Sequence, residues 1–406
     1  GGQSWIKTTG SNELQSVTGI AQDTRNGQTN VWYYITGEYS GNSASGSGSF
    51  YIGDGVFKST DGGESWSLLS STSTEGPEQW NATFEINHEI VVDPTSGNVI
   101  VANYFGLYTS TDGGASWSQT YNNSNGAWSD VAIGPDGDAF AYLSTVGVVK
   151  SVDGGITWTD ISSANFPSYA SGDRGELAVS ESNTDVIYLL AENSSHSSGH
   201  ALWRYDDSSG TWEDRSGNIP QEGGLTGDFN SQGGYDLLIK VKPDDENFVI
   251  IGGTNLYRST DGFASTSNTE WIGGYTPNNN SYALYSNHHP DQHSFVFYPS
   301  APNQVISGND GGLQYAADVR VTDSSTEPIT WTPLNNGYLT TQVYAISIGP
   351  SDQILAGFQD NGTWETLTTS TTVDWHDPFS GDGAYSAYSS DGTMRYMSSQ
   401  NANVYR

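Results

Sequence analysis

Short apolar runs recur along the chain, each about four to six residues long and each closed by glycine, proline or an acidic turn residue. Glu89-Ile90-Val91-Val92 stops at Asp93-Pro94, and Asp130-Val131-Ala132-Ile133 stops at Gly134-Pro135. Other runs, such as Val99-Ile100-Val101 and Phe248-Val249-Ile250-Ile251, are unbroken and have the composition of strands covered on both faces. No stretch of useful length keeps a helical period, so the pattern predicts strands throughout. They fall into a fixed order: an alternating strand, an apolar strand, a short Gly-rich loop, a third strand, a tight turn and an outer strand. That order repeats over roughly residues 11–70, 83–122, 127–163, 173–217, 234–275, 293–335 and 341–378, and residues 383–406 supply three strands of an eighth copy.

The tight turn has its own signature. Residues 110–117 read Ser-Thr-Asp-Gly-Gly-Ala-Ser-Trp, and residues 59–66 and 151–158 are near copies. Asp61, Asp112 and Asp153 hold the same place in the three, and Trp66, Trp117 and Trp158 close them. Asp261 opens a fourth copy that is interrupted before Trp271, and a looser version covers 205–212. An aspartate here accepts hydrogen bonds from nearby backbone amides, and the glycines admit positive φ, so the unit is predicted to be a β-hairpin with an aromatic wedge between its strands.

These copies resemble the Asp-box, or BNR repeat, of sialidases, of the sortilin or Vps10 group and of the two-propeller xyloglucan hydrolases. The resemblance implies an all-β propeller of four-stranded blades, with each box on the hairpin between the third and fourth strands, away from the active site. About eight blades are expected; part of a ten-bladed or a double seven-bladed protein is the alternative. Residues 1–5 repeat the second half of a box and Val404-Tyr405-Arg406 repeat what precedes one. Either the ring closes with strands from both ends, or residues 1–406 are one propeller domain cut from a longer secreted protein; the second reading is favoured.

Composition narrows the partners. Thirteen basic against 46 acidic residues give a formal net charge of -33, which repels a nucleic-acid backbone. With no cysteine, disulfides and thiolate metal sites are excluded. No apolar run approaches the roughly 20 residues of a membrane-spanning helix. An extracellular or cell-surface location and an extracellular polysaccharide or surface-protein partner are expected.

In a blade, loops entering the first strand and loops joining the second strand to the third share one face, and the boxes lie on the other. On the box-free face fall Asn287-His288-His289-Pro290-Asp291-Gln292-His293, then Gly308-Asn309-Asp310-Gly311-Gly312, Gln359-Asp360-Asn361-Gly362-Thr363 and Gly381-Asp382-Gly383. With Gln232-Gly233-Gly234-Tyr235-Asp236, this order is similar to that of secreted bacterial Asp-box propellers named as glycosyl hydrolases. Imidazoles and carboxylates together bind cations or pass protons. His289, Asp291, His293 and Asp310 are the candidate ligands of a divalent cation, calcium or zinc. His288, His289, Asp360, Asn361, Trp364, Tyr235 and Arg174 are candidates for ligand contact, and Trp80, Tyr104 and Trp128 are further aromatics for stacking on sugars. Glu89, Asp310 and Asp382 are candidates for the carboxylate pair of glycoside hydrolysis, which needs a separation of roughly 5 to 10 Å. Scarce arginine disfavours sialidase chemistry. The function expected first is glycan or protein binding through this rim, with hydrolysis or a purely structural or adhesive module as alternatives.

Overall fold

The computed structural model describes residues 2–10, 16–39, 51–73, 82–123, 128–162, 173–194, 196–277, 282–322, 326–337, 343–358, 361–368, 374–379, 383–399 and 403–406. Seven sheets of four antiparallel strands and one of three follow one another, each built from neighbouring segments in chain order. The chain is an all-β propeller with about eight blades. Blade one contains Val17–Gln22, Trp32–Thr36, Val56–Ser59 and Ser67–Leu68. Blade two contains Asn87–Val92, Val99–Asn103, Gly106–Ser110 and Ser118–Asn122. The first strands of blades three to six are Ser129–Ile133, Gly175–Val179, Leu238–Lys242 and Gln292–Tyr298. Among the described residues the helical turns are two 3-10 segments, Ser216–Asn218 and Thr266–Asn268.

The chain divides into two compact units, Gly1–Asn336 and Gly337–Arg406. The first holds blades one to six. The second holds blade seven, with strands Val343–Ile348, Ile354–Phe358, Thr363–Thr366 and His376–Phe379. It also holds the three-stranded sheet of Ser386–Tyr388, Arg395–Ser399 and Asn403–Tyr405.

Within the first unit, the unbroken apolar runs become second strands buried between neighbouring sheets. Tyr33, Ile35 and Val56 of blade one pack with Ile90, Val99 and Val101 of blade two. Ile100 and Leu107 on the other side of blade two pack with Val131 and Leu143 of blade three. Phe140 and Tyr142 of blade three meet Leu177, Ile187 and Leu189 of blade four. Burying a side chain of this size stabilises by about 1.5–3 kcal/mol. Each such contribution is shared by two blades, so a blade in isolation lacks half of its core.

The repeated turn has one bonding pattern. In blade two, Ser110 Oγ donates to Asp112 Oδ1 and accepts from the Gly114 amide, both at 2.8 Å. Asp112 accepts the Ser116 amide at 2.8 Å and the Ser116 hydroxyl at 2.6 Å. The same set links Ser59, Asp61, Gly63 and Ser65 in blade one, and Ser151, Asp153, Gly155 and Thr157 in blade three. In blade five Ser259 and Asp261 repeat the hydroxyl bonds, but Asp261 accepts the Ala264 amide in place of that of Ser265, and Phe263 stands at the second glycine position with φ of 60° and its ring fully buried. All four turns join a third strand to an outer segment.

Tryptophans at the blade ends reach sideways as well as into their own hairpins, where Trp158 Nε1 also meets Gly155 O at 3.1 Å. Trp158 Nε1 donates to Thr120 Oγ1 of blade two at 3.2 Å, and Trp331 Nε1 donates to Ile272 O of blade five at 2.8 Å. Trp212 of blade four bonds Ile161 O, just past blade three, at 2.8 Å. Trp66 of blade one finds Thr8 Oγ1 at 3.2 Å. The segment carrying Thr8 also reaches blade six, where Trp5 Nε1 donates to Leu334 O at 2.7 Å and Asn336 Nδ2 to Gly2 O at 2.8 Å.

Candidate functional site

On the first strands of blades two, three and four, an acid stands at an equivalent place. Glu89 pairs opposite Ala102, Asp130 opposite Tyr142 and Glu176 opposite Leu190. Asp130 Oδ2 accepts the Leu177 amide of blade four at 2.6 Å, tying two blades at the site. Burial raises the Glu89 pKa to about 7, and the Glu176 charge adds to it against the pull of Lys240 and Arg174. Burial also raises Asp130 well above the carboxylate range, with Glu176 and Glu89 reinforcing the shift. Glu89 and Asp130 are protonated more readily than exposed acids, because burial strips solvation from the charged form and neighbouring like charge adds to the cost.

Arg174, in the loop entering blade four, answers this ledge. Its Nε donates to Glu176 Oε1 at 2.8 Å, while Nη1 donates to Gly234 O and Tyr235 O at 2.9 Å each. Its guanidinium carbon stands 5.0 Å over the Trp128 ring. Desolvation opposes the charge, but Glu176, Asp130 and Asp236 outweigh it and raise the pKa.

Arg174 thereby holds the entry to blade five, which leads to blade six. The Tyr235 ring meets the His293 ring at 5.0 Å, edge to face, and His293 Nε2 lies 2.6 Å from Asp310 Oδ1. Gln232 Nε2 donates to Asp291 Oδ1 and, at 3.4 Å, to Asp236 Oδ2. Burial, then the Asp310 charge, raises Asp291 to about 7; burial, then the Asp291 charge, raises Asp236. Burial pushes the Tyr235 hydroxyl up, with Asp310 and Glu38 adding to it. Glu38, just past the second strand of blade one, is also raised by burial and feels the charges of His293, Arg174 and Asp310. The first unit therefore gathers carboxyls from blades one to six on its turn-free end.

Several expected residues are placed differently. His288 is buried against Trp331 at 4.5 Å, with Nε2 at Ser307 Oγ and Nδ1 accepting from the Gly274 amide; burial lowers its pKa to about 3. It is a neutral core histidine, not a rim ligand. His289 packs on Gly311, where an added Cβ would lie 2.5 Å from its own Cβ, and its Nδ1 faces Pro290 O. Asp291 is turned toward Gln232 while His293 is paired with Asp310, so the four expected cation ligands do not face one point. Among the described residues, no group of three or more His, Asp or Glu is arranged to hold a metal ion. Asn361 and Trp364 belong to the second unit, where Trp364 Nε1 donates to Asn361 O. Trp80, Asp360 and Asp382 lie outside the described residues.

Comparison with known proteins gives fold and no family. No family model matches the chain, and no curated protein matches it. Among solved structures, it is similar to a GH74 xyloglucanase from Xanthomonas campestris, 16% identical with a TM-score of 0.64 over 97% of this chain and 58% of that one. It is similar to an ancestral GH74 enzyme at 18% identity and a TM-score of 0.62, covering 98% of this chain and 54% of that one. A GH74 enzyme from Niastella koreensis gives 16%, 0.57, 98% and 65% for the same quantities. At such identities the likeness is one of fold, and the chain spans less than two thirds of the length of each. Among the described residues no helix is long and apolar enough to cross a membrane.

Glu38, Asp130, Glu176 and Gln232 carry much of the site, and of these only Gln232 falls in one of the loop motifs. A signal was available for two. Glu38 follows the second strand of blade one as Asp310 follows that of blade six, and Asp130 precedes Gly134-Pro135 by the interval at which Glu89 precedes Asp93-Pro94.

Proposed function

We propose that this propeller binds a neutral extracellular polysaccharide across the turn-free end of its first unit. The observation that carries the reading is the meeting of the Tyr235 ring with the His293–Asp310 pair, beside an arginine already engaged by Glu176 and two carbonyls. Carboxylates accept hydrogen bonds from sugar hydroxyls, and ring faces stack on sugar rings. Acidic sugars are disfavoured, since the rim carries more acid than base and the chain bears a net charge of -33. Xyloglucan, the substrate for which the Xanthomonas campestris xyloglucanase is named, is the first neutral polysaccharide to test. The repeated turns are read as Asp-boxes of the BNR type in an extracellular protein. That reading rests on four hairpins that share the same Ser–Asp hydroxyl bond.

Isothermal titration with xyloglucan and with a polyuronate tests the proposal. Saturable binding to the neutral polymer alone is expected, weakened about tenfold by Tyr235→Ala. Failure of every neutral polysaccharide to bind would sink it.

A second reading, hydrolysis, is favoured by one arrangement: Glu89, whose pKa burial raises to about 7 as a general acid requires, stands on the same end as Asp310, which is paired with His293. Release of reducing ends from the bound polymer, abolished by Glu89→Gln or Asp310→Asn, is the expected outcome; unchanged release in both variants removes them from the chemistry.

A further inference from the structure

A groove of about 630 Å³ opens on blade two, lined by Thr83, Tyr104, Phe105, Tyr108, Gln119 and Asn122 together with Ala82. It lies away from the acid ledge, toward the outer strand Ser118–Asn122, and no motif points to it. None of its lining side chains is charged, in a protein with 46 acidic residues. Its lining brings together the aromatic side chains of Tyr104, Phe105 and Tyr108, the hydroxyl of Thr83 and the exposed amides of Gln119 and Asn122. Gln119 Nε2 donates to Phe105 O at 3.0 Å and fixes the loop that carries Tyr104 and Phe105.

The groove is joined to the acid rim by packed rings. Phe105 meets Tyr104 at 5.2 Å, Tyr104 meets Tyr39 at 5.5 Å, Tyr39 meets Trp128 at 5.4 Å, and Trp128 lies under Arg174 at 5.0 Å. Loops from blades one, two, three and four thus contribute to one row. Aromatic faces flanked by amides, with no charge to satisfy, match a polyhydroxylated neutral ligand and neither an anion nor a cation. An apolar peptide would leave the amides and hydroxyls unpaired at a cost.

We propose that this groove is an outlying subsite for a neutral sugar chain, holding units beyond those seated at the Tyr235–His293–Asp310 rim. The inference rests on the polysaccharide-binding reading and extends it: affinity rises with chain length because long chains reach blade two. Tyr104 stacks on a sugar ring, and Asn122 and Gln119 bond its hydroxyls.

Isothermal titration of a short-to-long series of xyloglucan oligosaccharides separates the two claims. Tyr104→Ala is expected to weaken the longest oligosaccharide about tenfold and to leave the shortest unchanged. Asn122→Ala, exposed at the end of an outer strand, is expected to weaken the longest several-fold without shifting the thermal unfolding midpoint. Tyr235→Ala is expected to weaken all of them. Length-independent affinity in the wild-type protein, or long-chain affinity unmoved by both blade-two variants, overturns the subsite while the rim reading stands. No binding of any of these oligosaccharides by the wild-type protein overturns the subsite, and failure of every neutral polysaccharide overturns the rim reading with it.

Discussion

Asp112 shows how one side chain organises a turn. Its two oxygens accept three hydrogen bonds and hold its pKa down at about 2, chiefly through the Ser116 hydroxyl. A depressed carboxylate contributes stability above its unfolded pKa and loses it as pH falls through the folded value. The unfolding midpoint of Asp112→Asn is therefore expected to lie below that of the wild-type protein at pH 6, with the gap closing as pH approaches 2 in thermal scans. Glu89 has the opposite sign. Burial raises its folded pKa to about 7, so the unfolded chain ionises first and the native state is penalised progressively from about pH 4 to 7. Glu89→Gln is expected to melt higher than the wild-type protein at pH 8 and level with it at pH 4. At Phe263, left-handed backbone costs about 1–3 kcal/mol, but emptying the space of a buried phenylalanine costs about 3–5 kcal/mol. The packing term is larger, so Phe263→Gly is expected to destabilise by about 2 kcal/mol in urea unfolding.

Blades are coupled to their predecessors through polar ties as well as shared cores. Trp331 is buried and its indole N–H is received by Ile272 O of blade five. Trp331→Phe leaves that carbonyl without its donor and is expected to cost about 1–3 kcal/mol, measured by denaturant unfolding. The elements were largely legible in the sequence, because Pro closes the first strands of blades two, three, five, six and seven, and Asp-Gly turns mark the hairpins of blades one, two, three and five. Blade two was expected over roughly 83–122, and its strands run from Asn87 to Asn122. The site was less legible. His288 and His289 are neighbours in sequence, yet one enters the core and the other lies on Gly311. Such a difference depends on local backbone direction, which residue type does not encode. The proximity of Glu38 to Asp310 likewise arises only when blade one and blade six share an end of the unit. The sideways reach of the tryptophans was hidden for the same reason: a hairpin signature describes its own strands and not the adjacent blade.

At the scale of the whole chain, charge dominates. A net charge of -33 with few bases produces self-repulsion that compaction intensifies. Salt shortens the Debye length from about 30 Å at 0.01 M to about 8 Å at 0.15 M. The unfolding midpoint is therefore expected to rise over that interval, opposite in sign to a protein held by surface ion pairs. Scanning calorimetry against sodium chloride checks it.

The repeated turns and the acid rim occupy opposite ends of the blades, and the chain contains no cysteine. A single thiol introduced by Ala115→Cys, at an exposed position of the blade-two turn, would be the one thiol in the chain and so a site-specific coupling handle. Tethered there, every molecule on a sensor surface would present its rim and groove outward in the same orientation. Immobilisation itself then becomes a map of which end meets the polysaccharide.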